Sequence, residues 1–231
     1  GAIAFGTPIQ FDQVYIEGIS KIDPVDIRFG EEFGYQLKLL AIARNTDDGI
    51  EMRVHPTLIP NQHVLASVKG AYNAVHIHGN AVGNIMLYGL GAGMMPTGSA
   101  VAADLMDLAR DIQLGVPTRI PPLAFPEDRI SPVPVKPMAD VVTCYYFRFA
   151  AVDRPGVLSK ISGILGQHDI SIAAVIQKGR QAEETVPIVM LTHEAREADV
   201  RNALEEIDRL EVVHAPTQFI RIENQETDQM A

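Results

Sequence analysis

The second half of the chain alternates between two hydrophobic periods. "CYYFRFAAVD" puts Tyr145, Phe147 and Phe149 at every second position, as a strand does, and "RPGVLSKISGILGQHDI" then spaces Val157, Ile161 and Ile164 along one helical face. "ISIAAVIQKG" and "TVPIVMLTHE" are β-branched runs that predict strands on either side of the polar "RQAEE". "READVRNALEEIDRL" returns to helical spacing with Val200, Leu204 and Ile207 on one face, and its Arg201, Glu205 and Arg209 stand at the spacing of i,i+4 ion pairs. "VVHAPTQFIRIE" closes with a strand, so the order is βαββαβ, a split βαβ arrangement of ferredoxin-like type.

The first half is less regular. "VDIRFGEEFG" predicts a short helix after Pro24, and "YQLKLLAIAR" a strand that is apolar on both faces and therefore interior. "DDGIEMRVHPTLI" turns at Asp48-Gly49 into another strand, while "AYNAVHIHG" and "AVGNIMLYG" form two strands joined at "GN". A helix is expected from about Gly98 to Leu114, with Val101, Leu105, Leu108 and Ile112 buried and Asp104, Asp107 and Asp111 outside. The pattern predicts an α+β protein with a mixed sheet and no internal repeat.

Between the halves, Val116 to Val141 holds seven of the 15 prolines, so neither a central strand nor a helix can run through it. We therefore expect domains at 1–115 and 144–224, an extended linker over 116–143 and a flexible tail at 225–231. A net charge of −10 without any Lys/Arg block argues against nucleic acid or an anionic membrane as partner. No apolar run reaches the ~20 residues of a membrane helix. A single cysteine, Cys144, excludes an internal disulfide and suits a reduced, cytoplasmic setting.

Several stretches could carry chemistry. "GLGAGMMPTGSA" spaces Gly89, Gly91 and Gly93 ahead of a helix whose free N–H groups could face an anion. It is not G-x-G-x-x-G, and no ribose-binding acid follows ~20 residues on, so spacing alone favours close packing over phosphate binding. Glu17, Lys21, Asp23 and Asp26 could serve proton transfer, but a solvated helix start with Asp23 as cap explains them better. His76 and His78 share a strand face without a third metal ligand at usable spacing, which favours a satisfied or exposed pair. In "VDRPGVLSK", the amides of Gly156, Val157 and Leu158 start a helix and suit a carboxylate, while Asp153 could meet an ammonium. Together they would hold an amino-acid zwitterion, although a plain helix cap explains Asp153 equally well.

Two resemblances follow from these motifs. Residues 145–222, with "VDRPGVLSKISGIL" at the first turn, resemble an ACT domain, the βαββαβ module that binds amino acids and regulates biosynthetic enzymes. Residues 2–115, with "AFG", "VYIEGISKI", "GYQLKLLAIA", "RVHPTLIP" and "YGLGAGMMPTGSAVAADLMDLAR", resemble the later, catalytic and dimerisation part of bacterial homoserine dehydrogenase. The resemblance implies a dimeric NAD- or NADP-dependent oxidoreductase that interconverts L-homoserine and aspartate 4-semialdehyde, on the route to threonine, isoleucine and methionine. It also implies that the Rossmann domain and the catalytic acids and lysine precede "AFG", so no catalytic role passes to Glu17, Lys21 or Lys38. One role does pass across: Gly93 is expected to approach the nicotinamide cofactor, with the following helix packed onto the cofactor domain.

Two functions remain open at this stage. The chain is expected either to be part of a homoserine dehydrogenase with an effector, by family habit threonine, at Asp153, Gly156, Val157 and Leu158, or to act alone as a non-catalytic, dimerising, amino-acid-binding module. Turnover separates them, and by the first reading the isolated chain is inactive because half of the site is missing.

Overall fold

The computed structural model describes residues 1–116, 121, 123–177 and 185–224. The polar "RQAEE" segment, the expected tail at 225–231 and linker positions 117–120 and 122 lie outside the described residues. In chain order the elements are α1 (Ala2–Phe5), β1 (Tyr15–Ile16), α2 (Pro24–Glu32), β2 (Tyr35–Thr46), β3 (Gly49–Pro60), β4 (Tyr72–Gly79), β5 (Gly83–Leu90) and α3 (Met94–Leu114). They continue with β6 (Val142–Val152), α4 (Val157–Gln167), β7 (Ile172–Gln177), β8 (Thr185–Thr192), β9 (Ala195–Arg196), α5 (Glu197–Ile207) and β10 (Val213–Ile222). The architecture is α+β with a mixed sheet, and the second half follows the expected βαββαβ order. No helix among the described residues is long and apolar enough to cross a membrane.

The chain forms two compact units. One joins Gly1–Ile9 to Asn61–Pro132, and the other joins Gln10–Pro60 to Val133–Ala231. Division at the prolines would group 10–60 with the hairpin that follows it, whereas in space these residues group with the C-terminal half. The reason is a seam of backbone hydrogen bonds: β10 pairs antiparallel with β6 and also parallel with β3, through Arg221 opposite Thr57 and Ile222 opposite Leu58. Strands β10, β6, β8 and β7 follow each other in antiparallel order, and β1 and β10 take successive stretches of the β3 edge that β2 leaves open.

Packing on the two faces of this sheet follows from alternation. Tyr145, Phe147, Phe149 and Ala151 of β6 point to one side, where they bury Val157, Ile161 and Leu165 of α4 and Val200, Leu204 and Ile207 of α5. Tyr146 points to the other, where it joins Val189, Leu191, Ile220 and Ile222 beneath Phe29 of α2. Helix α2 starts as the sequence predicts: the Asp23 carboxylate accepts the Val25 N–H at 2.9 Å, and Pro24 occupies the first helical position.

Four expectations fail here. Strand β2 is not interior: it pairs only with β3 among the described residues, and Leu39 is 55% exposed. Helix α3 starts at Met94 rather than Gly98, because Pro96 falls within the first turn, where its missing N–H has no helical partner to lose. Its apolar stripe is not buried either, with Val101, Leu105, Leu108 and Ile112 all more than half exposed in this chain. In the pairing along α5, Arg209 meets Glu205 as predicted, but Arg201 turns back one helical turn to Glu197 at 2.7 Å.

The β2–β3 hairpin is held by the proline-rich arm. The Ile50 N–H donates to the Pro134 carbonyl at 2.9 Å, and Lys136 N–H returns a bond to the Ile50 carbonyl. Gly49 sits at φ +136°, and a Cβ there would lie 2.5 Å from the Pro134 oxygen. Gly49→Ala is therefore expected to destabilise the protein by about 1–3 kcal/mol. A denaturant midpoint that does not move would refute this account of the turn.

Candidate functional site

The glycine run between β5 and α3 separates into three different roles. A Cβ at Gly89 would meet nothing within 4 Å, one at Gly91 would fall 2.1 Å from Asn73 Nδ2, and Gly93 is the residue whose backbone requires glycine, at φ 128° and ψ 152°. Gly93 caps α3 and accepts the Thr97 N–H at 3.0 Å, and the helix carries no acidic residue in its first turn. Asn73 covers Gly91, and the bare backbone at a positive helix end is that of Gly93, where a ligand can approach. Nearby in the same unit, His78 bonds Asn84 at 2.9 Å and His76 lies edge-on to His63. Among the described residues no cluster of His, Cys, Asp and Glu could hold a metal.

The turn from β6 to α4 lies in the other unit. Gly156 adopts the left-handed conformation at φ 89° and caps α4. Val157 is not available as expected: its side chain is in the core and its N–H donates to the Arg154 carbonyl at 3.3 Å. Asp153 Oδ1 accepts from Gln177 Nε2 at 3.3 Å, which ties the turn to the end of β7, and Leu158 is 40% exposed. Gly156 and Leu158 thus stay exposed on the turn between β6 and α4, and Asp153 is partly buried beside the end of β7.

Sequence reasoning missed a buried ionic cluster. Glu51, Arg53, His55 and Thr57 share one face of β3, and all are buried. Arg53 donates to Glu223 at 2.6 Å and to Glu51 at 3.1 Å, and its Nη1 lies 3.1 Å from His55 Nε2. Because a guanidinium only donates, Nε2 accepts, and the His55 proton sits on Nδ1, 3.0 Å from the Pro56 carbonyl. Alongside, Arg221 binds Glu197 through Nε at 2.9 Å and Nη2 at 2.6 Å, and binds Glu17 at 2.9 Å. Tyr15 donates to Glu17 and Tyr145 donates to Glu197. Of the four residues read as a solvated helix start, Asp23 fits that description, but Glu17 belongs to this cluster. Asp26 is wholly buried and accepts from Tyr146 at 2.8 Å and from Arg148. The available signal was the run Glu51, Arg53, His55, Thr57 at period two.

Protonation in the cluster is fixed by its partners. Burial pushes the carboxyls of Glu17 and Glu197 up, but hydrogen bonds from Arg221 outweigh it and hold both below the usual range. Burial, aided by Arg221 and Arg53, lowers His55 to about 4. Burial and Glu197 raise Tyr145. At neutral pH Glu17, Glu197 and Arg221 are charged and His55 is neutral, so these groups order the sheet and are not poised for proton transfer. Cys144 is likewise unsuited to attack, since burial and the nearby Glu194 and Glu223 raise its thiol.

Comparison with known proteins bears on both halves. Residues 1–106 match the family model described as homoserine dehydrogenase, and residues 145–212 match that of the ACT domain. The homoserine dehydrogenase of Neisseria gonorrhoeae is 45% identical over 96% of this chain and 51% of its own length, and that of Pseudomonas aeruginosa is 42% identical over the same shares. A crystal structure of a homoserine dehydrogenase from Thiobacillus denitrificans superposes with a TM-score of 0.89 at 48% identity, covering 96% of this chain and 50% of that one. The chain spans about half the length of the curated relatives it matches.

Proposed function

Since this chain belongs to the homoserine dehydrogenase family and carries that family's domain followed by an ACT domain, we propose that it is part of an enzyme that interconverts L-homoserine and L-aspartate 4-semialdehyde with NAD or NADP, in the synthesis of threonine, isoleucine and methionine. The observation that carries this reading is identity of 42–48% maintained across both domains and the arm between them. The dinucleotide, when bound, supplies the hydride. Gly93 fits such a group, because its bare backbone and the unpaired amides of α3 leave space and positive potential for it. The exposed stripe of Val101, Leu105 and Leu108 is the surface on which a cofactor domain would rest. We assign no catalytic role to any residue described here.

The β4–β5 ribbon has the character of a subunit interface. Val75, Ile77, Leu87 and Tyr88 are between 45% and 61% exposed, and Tyr88 stacks on Tyr72 at 4.7 Å. A second copy of the chain is the proposed occupant, giving a homodimer. In the other unit, Asp153, Gly156 and Leu158, with Val157 anchoring the turn, would hold an amino-acid effector, threonine by our proposal. Such binding regulates only if the effector prefers one of two enzyme states. A cytoplasmic setting belongs to the same reading.

The experiment is homoserine-dependent reduction of NAD and NADP by the full-length protein. Turnover is expected, and its absence with both cofactors would sink the dehydrogenase reading. Gly93→Val is expected to raise the Michaelis constant for the cofactor by roughly tenfold, the equivalent of ~1.4 kcal/mol. An unchanged value would remove Gly93 from the cofactor site. Calorimetry with threonine tests the turn, where heat unaltered by Asp153→Ala would exclude that residue.

A further inference from the structure

Beside the ionic cluster lies a cavity of about 180 Å³ between β3, Tyr15 and the arm from Val135 to Val141. At ~30 Å³ for each water-sized group, it has room for roughly six non-hydrogen atoms, and slightly more where they are bonded to one another. Met52, Val135, Met138 and Val141 give it apolar walls, while Arg53 and Lys136 supply positive charge. Arg53 is 1% exposed, and its Nε is buried without a hydrogen-bond partner. Lys136 is 17% exposed at its side chain, and among the described residues its ammonium has one acidic neighbour, Glu51, at 4.0 Å, which is beyond hydrogen-bond distance. An unmet donor on a buried cation is costly to a fold, by about 1–3 kcal/mol or more. Here a buried guanidinium with an unmet Nε and a partly exposed ammonium line one cavity; Glu51 lies near both, and Glu223 pairs with Arg53 alone of the two.

We propose that this cavity is a binding site for a short aliphatic monocarboxylate, with the carboxylate at Arg53 and Lys136 and the hydrocarbon tail against Met52, Val135, Met138 and Val141. A carboxylate accepts from a guanidinium and an ammonium together, and such charge-assisted bonds are the stronger class. An α-amino acid fits poorly, since its ammonium would stand beside two cations, and Glu51 and Glu223 are already engaged by Arg53. The site is thereby different in chemistry from the zwitterion site at Asp153 and Gly156. It does not depend on the dehydrogenase reading, and homoserine turnover is not its readout.

Isovalerate, with seven non-hydrogen atoms, is the probe, and valine is its counterpart with an added ammonium. Titration calorimetry on the full-length protein is expected to show saturable isovalerate binding, weakened about tenfold or more by Lys136→Met, as for loss of a charge-assisted bond. Met138→Trp should abolish binding by filling the cavity, with the melting temperature retained. Valine should bind at least tenfold more weakly at this site, read as the part of its heat that Met138→Trp removes. No saturable isovalerate binding, or binding that neither substitution alters, overturns the site. Valine binding equal to isovalerate overturns the ligand class.

Discussion

Arg221→Met is expected to destabilise the protein by about 3–5 kcal/mol, the usual cost of removing one partner from a buried ionic group. Against a typical total of ~5–15 kcal/mol this is a large share. Arg221 is 1% exposed, and its loss leaves the fully buried Glu197 with Arg201 and Tyr145 alone and Glu17 with the Tyr15 hydroxyl. It also removes a guanidinium from over the Tyr15 ring, 5.0 Å from its centroid. Lysine should rescue little of this, because only a planar fork reaches both carboxylates at once. Urea unfolding is the measurement, and a loss under ~1 kcal/mol would show that Glu197 and Glu17 are satisfied by other groups. The carboxyls of Glu17 and Glu197 are depressed in the folded state, so their contribution is present above their unfolded values and lost as pH falls.

A second large effect concerns His55. Its folded value of about 4 lies below the ordinary 6.5, chiefly through burial and then through Arg221 and Arg53. Between these values the unfolded chain binds a proton that the folded one refuses, so stability falls as pH drops from about 6.5 towards 4. A gap of this size corresponds to roughly 3 kcal/mol. His55→Gln keeps an acceptor near Arg53 without titrating and is expected to flatten the stability profile in that window. The carboxylates above leave their own loss at lower pH. A variant whose profile between pH 6.5 and 4.5 matches the parent would exclude His55 as the source.

What the sequence disclosed depended on whether a pattern was local. The aromatic alternation at Tyr145, Phe147 and Phe149 and the helical spacing of Val157, Ile161 and Ile164 identify the βαββαβ order because each element buries one face against its neighbours in the chain. The buried side of β3 was not legible, since Glu51, Arg53, His55 and Thr57 look like a solvated face until Glu223, 170 residues from Arg53, arrives to pair with it. The same limit applies to Arg201, for which Glu197 and Glu205 are equivalent by spacing. Glu197 prevails because it is held in place by Arg221 and Tyr145. Gly93 illustrates the opposite case. Its positive φ is a local property of a turn that the glycines mark, but what approaches it is not written in the turn.

The seam between β3 and β10 has a consequence for how the C-terminal module can be exchanged. A regulatory domain joined only by a linker can be removed or swapped and leaves its neighbour intact. Here, excision after the proline-rich arm would strip β3 of its partner at Thr57 and Leu58 and leave Arg53 without Glu223. The remaining hairpin would present raw backbone donors and acceptors, a template for pairing with other chains. The C-terminal module is in this sense part of the load frame of its host, and evolution could vary the turn between β6 and α4 far more freely than the last strand.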